Sequence, residues 1–251
     1  MNRVPLRMVL PNMVTLLALC SGLTAIRLAL EGRLELAMMA ILLAAFLDAL
    51  DGRLARMLKG TSRFGAELDS LTDFVNFGVA PALILYLSSL STLDNLGWIA
   101  ALLYAICAGL RLARFNAALD TQGPKHNQMF FTGVPAPAGA LLALLPMYFA
   151  LLGGRWLTEM PIFVAIYMVV IGLLMVSSLP TFSGKKLGAR LPTDSVLPLM
   201  VAGAAVIALL VAFTWQSLIA LAFLYLATLP AGAWYARKLA GQDEQPDAPD
   251  Q

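Results

Sequence analysis

Only one histidine, His126, occurs in the 251 residues, so no metal centre made of several imidazoles can be assembled within one chain. The two cysteines, Cys20 and Cys107, fall in separate apolar stretches and read as small core residues rather than as a disulfide. Charge is also scarce. Asp, Glu, Lys and Arg make up 13% of the chain, against roughly 25% in a soluble domain. A net charge of +2 excludes the strongly basic footprint of a nucleic-acid-binding protein. What fills the space is hydrocarbon: 60% of the residues are hydrophobic and the mean hydropathy is +0.79. Such a composition belongs in a bilayer.

A hydrocarbon core about 30 Å thick takes roughly 20 apolar residues per helix. Eight stretches are predicted to span it: 9–30, 34–57, 67–90, 95–119, 133–153, 160–179, 195–213 and 215–236. The expected fold is therefore all-α, an integral membrane bundle of about eight transmembrane helices. It forms a single domain over 1–240, followed by a disordered acidic tail at 241–251, "GQDEQPDAPDQ". The first stretch is long and lacks a small-residue cleavage site, so it is kept as a helix rather than read as a cleaved signal. With the N-terminus inside, fourteen of the seventeen basic residues fall on the cytoplasmic side, leaving Arg27, Arg33 and Arg155 on the other. That is the bias expected of a cell-membrane protein with both termini inside. A six-helix arrangement with the same inner loops preserves much of it. Trp98, Trp156, Trp215 and Trp234 fall near predicted helix ends, as an interfacial aromatic belt requires.

Residues 46–78, "FLDALDGRLARMLKGTSRFGAELDSLTDFVNFG", break the pattern. They set Asp48, Asp51, Asp69 and Asp73 inside two apolar stretches, where one ionised carboxylate at the bilayer centre costs on the order of 3 kcal/mol. Asp48 and Asp51 are three apart and Asp69 and Asp73 four apart, so each pair shares a helix face. Two facing helices with two carboxylates each make an oxygen-rich pocket for hard divalent cations, Mg²⁺ or Mn²⁺, and two ions would balance four charges. The simpler alternative is that Arg53, Arg56 and Arg63 neutralise the carboxylates near the interface. Gly52 and Gly65 would let a ligand approach the backbone, and Ala55 keeps the same face low. Arg56 and Arg63 offer cations to phosphate oxygens. Small-residue packing between helices is the competing reading of the two glycines. The pocket opens towards the loop 58–66, on the cytoplasmic side.

In order, these residues read D-x2-D-G-x2-A-R-x8-G-x3-D-x3-D, from Asp48 to Asp73. The pattern fixes eight residues over 26 positions and resembles, without departure, the signature of the CDP-alcohol phosphotransferase family. The resemblance implies a membrane enzyme that moves a phosphate-linked group from a CDP-alcohol to an acceptor hydroxyl and releases CMP. It carries Asp48, Asp51 and Asp69 over as metal ligands. Asp73 becomes the general base, which also touches a metal. Gly52, Ala55, Arg56 and Gly65 line the CDP pocket. Asn12 and Thr15, in "LPNMVTLL", resemble a P-N-x-x-T element on the nucleotide side, although a Pro-Asn helix start with a self-bonded Thr accounts for them as well. A homodimer is implied by the resemblance alone.

The acceptor is read from other segments. "DSLTDFVNFGVAPALIL", "RLARFN" (111–116), "FFTGVPAPAGA" (130–140) and "LMVSSLPTFSGKK" (174–186) are similar, in this order, to the membrane-embedded bacterial and archaeal branch of the family that makes phosphatidylserine. Val134 stands where that branch more often has Leu. The similarity implies CDP-diacylglycerol and L-serine as substrates. Arg111 and Arg114 share a helix face near the interface, where they could meet a carboxylate or diphosphate or equally anchor to anionic headgroups, and Asn116 could meet an ammonium or hydroxyl. Lys185, Lys186 and Arg190 read better as headgroup anchors, and His126 as a solvated loop residue. Pro135 and Pro137 stand where the fifth helix starts. A mechanism needing two H-x-K elements is excluded by the single histidine. Choline, glycerol 3-phosphate or an inositol phosphate as acceptor remains open, and so, more distantly, does a divalent-cation transporter.

Overall fold

The structure, a computed structural model, describes residues 6–58, 60, 62–120, 130–177, 180–182, 204–205 and 208–243. His126, the basic group Lys185, Lys186 and Arg190, most of the predicted span 195–213 and the tail beyond Asp243 lie outside the described residues. Contacts divide the chain into two units, 1–122 with 135–176, and 123–134 with 177–251.

The first unit begins with a helical hairpin, α1 (Leu6–Leu30) and α2 (Leu34–Met57). The turn between them needs a left-handed residue, and Gly32 supplies it at φ +74°. Small buried residues, Ala18, Ala25, Ala37 and Ala44, allow the close helix approach common in membranes. Across the hairpin the Ser21 hydroxyl donates to the Ala40 carbonyl at 2.8 Å.

Ser62 starts α3 (Arg63–Asp73): its backbone is extended and its hydroxyl accepts from the Gly65 N–H at 3.0 Å, satisfying one of the first-turn donors. Immediately after Asp73 the chain widens into a π-helical turn, Phe74–Val79, where the Ala80 N–H donates to the Val75 carbonyl. It then resumes as α4 (Ala80–Ser88). Tyr104 on the following long helix, α5 (Asp94–Asp120), donates its hydroxyl to the Phe77 carbonyl in this turn at 2.9 Å.

The stretch predicted as one helix over 133–153 is two short ones, α6 (Ala136–Ala143) and α7 (Leu145–Leu151). Pro146 is the reason: it has no N–H for the Leu142 carbonyl four residues back. The Tyr167 hydroxyl of α8 (Pro161–Val176) bonds that carbonyl instead, at 2.8 Å. The core of this unit includes Met38, Ile41, Phe77, Tyr104, Leu142, Tyr148 and Met168.

In the second unit, β1 (Phe130–Thr132) and β2 (Pro180–Phe182) pair antiparallel with Phe130 opposite Phe182. β2 contacts a long helix, α9 (Thr214–Asp243).

Helix therefore dominates the described residues. Three helical runs among them are long and apolar enough to cross a membrane: Val9–Leu30, Arg63–Ser88 and Leu90–Ala118. Their outer faces are hydrocarbon, including Leu17 and Leu23 on α1 and Ile106 and Leu110 on α5, an arrangement water would penalise and lipid would not. α2 has the length but also bears Glu35, Asp48, Asp51, Arg53 and Arg56.

Candidate functional site

Both α2 and α3 pack against α1, and this brings their acidic faces together. Carboxylate oxygens of Asp48, Asp51 and Asp69 all lie within 4.8 Å of one another. Asp73 lies within hydrogen-bonding reach of Asp48. Asp51 is only 3% exposed, and Asp51 Oδ2 and Asp73 Oδ1 are buried without a hydrogen-bond partner. Ionised carboxylates at this spacing repel by roughly 3 kcal/mol per pair at an effective dielectric near 20. An all-oxygen, multiply charged donor set with orphaned buried acceptors is what a hard divalent cation takes. The residues fit Mg²⁺ or Mn²⁺.

Among the described residues no ion pair joins Arg53, Arg56 or Arg63 to the four aspartates, whereas Arg27 and Arg33 do pair with Glu31. Arg56 instead donates its Nε to the Gly52 carbonyl at 3.0 Å, which leaves its two terminal nitrogens for a ligand.

Beside the carboxylates lies a cavity of about 200 Å³. Its walls are Pro11, Asn12 and Thr15 from α1, Asp51, Gly52, Ala55 and Arg56 from α2, and Gly60, Ser62, Gly65, Ala66 and Asp69 beyond. Eight of the residues proposed from sequence for nucleotide and metal contacts, Asn12, Thr15, Asp51, Gly52, Ala55, Arg56, Gly65 and Asp69, thus face one space. Arg63 is exposed at the first turn of α3 and is not among the lining residues. The two glycines differ. A Cβ on Gly52 would meet nothing within 4 Å, so packing does not require a glycine there. A Cβ on Gly65 would stand 2.8 Å from Asn12 Oδ1 and 3.1 Å from Ser62 Oγ, so close packing accounts for that one. Thr15 bonds its own helix, donating to the Pro11 carbonyl at 3.1 Å, while still facing the cavity.

The α5 residues do not line this cavity. Asn116 Nδ2 donates to Ser70 Oγ at 2.9 Å, between Asp69 and Asp73 in sequence. Arg114 Nη1 donates to the Val176 carbonyl at 2.8 Å, and Arg111 is close enough to act electrostatically on Asp73. Ser62, Ser70 and Asn76 were not singled out from sequence. A Ser three residues before Gly65 at a helix start was the readable signal for the first; the other two acquire their roles only through contacts with distant helices.

The sequence profile of CDP-alcohol phosphatidyltransferases matches residues 8–234. The chain belongs to this family. Among curated relatives, a CDP-diacylglycerol–serine O-phosphatidyltransferase of Mycobacterium leprae is 48% identical over 176 residues, covering 68% of this chain and 57% of the relative. Proteins of the same name from Helicobacter pylori and Methanocaldococcus jannaschii are 36% and 40% identical. These alignments cover 72% and 66% of this chain, and 76% and 70% of the respective relatives. The chain thus spans somewhat under three-fifths of the length of the Mycobacterium leprae relative. The CDP-alcohol phosphatidyltransferases are membrane-embedded, consistent with the apolar outer faces described above.

Proposed function

We propose that the chain is an integral membrane enzyme that transfers the phosphatidyl group of CDP-diacylglycerol to L-serine, giving phosphatidylserine and CMP. The observation that carries this reading is the acidic cluster beside a cavity held open at Gly52. The name these relatives share, CDP-diacylglycerol–serine O-phosphatidyltransferase, supports serine over choline, glycerol 3-phosphate or an inositol phosphate.

In the proposed reaction the serine hydroxyl oxygen bonds to the lipid-side phosphorus. The bond from that phosphorus to the bridging oxygen breaks, and its electron pair leaves with CMP. Asp73 accepts the hydroxyl proton. Arg56 meets diphosphate oxygens with its terminal nitrogens, Gly52 admits the ligand to the backbone, Ala55 keeps the wall low, and Gly65 lines the same cavity while packing against Asn12. Asn12 and Thr15 take the nucleotide side. Two divalent cations, held by Asp48, Asp51 and Asp69 with Asp73 at the edge, would supply charge compensation and in-line alignment. Arg63 adds positive potential at the cytoplasmic approach, and Arg111, Arg114 and Asn116 form the serine side.

The charge bias supports eight spans with both termini inside and a site facing the cytoplasm of the cell's inner membrane; the family match over residues 8–234 supports one catalytic domain over 1–240 followed by an acidic tail. Family resemblance supports a homodimer. The test is product analysis of purified protein with CDP-diacylglycerol and each acceptor in turn, with and without chelator. Metal-dependent phosphatidylserine is expected; product with choline and none with serine would reject the acceptor, and metal flux without any lipid product would favour a transporter.

A further inference from the structure

Asn76 is wholly buried in the π-helical turn that begins one residue after Asp73. Its Nδ2 donates to the Ala18 carbonyl of α1 at 3.1 Å, a bond that joins residues 58 apart in sequence. The notch it occupies exists because residue 22 is glycine: a Cβ there would overlap Asn76 Oδ1. α1 carries Asn12 and Thr15 on the cavity wall, and the helix running into the turn carries Asp69 and Asp73. The contact therefore ties the acidic helix to α1, which also lines the cavity. A π turn offsets the residues before it from those after it, so its anchoring sets where Asp73 stands.

We propose that Asn76, seated against Gly22, is a positioning residue that sets Asp73 and Asp69 relative to α1 and hence tunes cation binding by the acidic cluster. The inference rests on the reading of that cluster as a divalent-cation site, and not on serine being the acceptor. The alternative is that Asn76 only stabilises the fold.

The test compares Asn76→Ala, Asn76→Ala with Gly22→Ala to refill the notch, and Tyr104→Phe, which removes the second side-chain anchor of the same turn at the Phe77 carbonyl. Two readouts are taken on the full chain in detergent: Mn²⁺ binding without substrates, from the loss of the free-ion electron paramagnetic resonance signal, and melting temperature. Positioning predicts that Asn76→Ala weakens Mn²⁺ binding about tenfold, that the refilled double variant regains melting temperature without regaining Mn²⁺ affinity, and that Tyr104→Phe weakens binding by a smaller factor. Where transfer is measured, kcat falls while KM for serine holds. Mn²⁺ affinity at the wild-type level in the variants, or affinity that returns together with melting temperature in the double variant, would overturn it. If Asn76→Ala does not fold, Tyr104→Phe decides: unchanged Mn²⁺ affinity there overturns the proposal. Wild-type protein that binds Mn²⁺ yet makes no phosphatidylserine sinks the functional reading and leaves this one standing.

Discussion

Replacing Gly52 by alanine separates the requirements of the fold from those of the ligand. Gly52 lies within α2, and a Cβ there meets nothing within 4 Å. No steric term opposes the substitution, while glycine in a helix interior costs about 1 kcal/mol relative to alanine. Gly52→Ala should therefore stabilise the protein by roughly 0.5–1 kcal/mol, which for a chain of this size raises the melting temperature by about 1–4 °C. The same methyl projects into the space lined by Asp51, Ala55 and Arg56, where the diphosphate is proposed to lie. Loss of about 1.4 kcal/mol of binding there would cost a factor of ten in kcat/KM for CDP-diacylglycerol. A thermal melt in detergent and transfer of labelled serine on the same preparation measure both. A more stable but at least tenfold slower enzyme is expected, the usual opposition of stability and function. Wild-type transfer would show that no ligand approaches the Gly52 backbone.

The remaining predictions concern the carboxylates and the start of α3. Asp73→Asn keeps shape and removes the proton acceptor, so turnover should fall below detection while CDP-diacylglycerol binding, measured by titration, partly survives; near-normal turnover removes Asp73 as the base. Asp48→Ala and Asp69→Ala should each weaken Mn²⁺ binding itself, and chelator should abolish transfer in the wild type until Mg²⁺ or Mn²⁺ is restored. Ser62→Ala removes the cap on the Gly65 N–H and should lower stability by about 1 kcal/mol in a denaturation assay.

Much of this architecture is legible in the chain because a bilayer leaves few options. The extent of α2, predicted as 34–57, matches the observed Leu34–Met57, since a run of apolar residues after a glycine turn has little choice but helix. The spacing of the four aspartates foretold their shared faces, because helical periodicity is local. Other features depend on contacts that periodicity does not encode. Pro146 was hidden in an apolar run and splits a helix whose freed carbonyl is rescued by Tyr167, twenty-five residues away. The π turn after Asp73 is anchored by Asn76, which bonds the Ala18 carbonyl, and by Tyr104, which bonds the Phe77 carbonyl, contacts between residues far apart in sequence. Gly52 and Gly65 look alike in the sequence, and only the surrounding atoms separate an open wall from a tight contact. α3 begins at Arg63 rather than near 67 because Ser62 caps it, a signal present in "TSRFG" but masked by the charged residues that follow.

In the proposed reaction the acidic cluster holds divalent cations against a diphosphate, and anomalous diffraction at the manganese edge, from crystals soaked with Mn²⁺ and CDP-diacylglycerol, would locate them. Anomalous peaks ringed by Asp48, Asp51 and Asp69, in contact with the diphosphate, are expected; peaks elsewhere, or none between these carboxylates at saturating ion, would refute a metal role for the cluster.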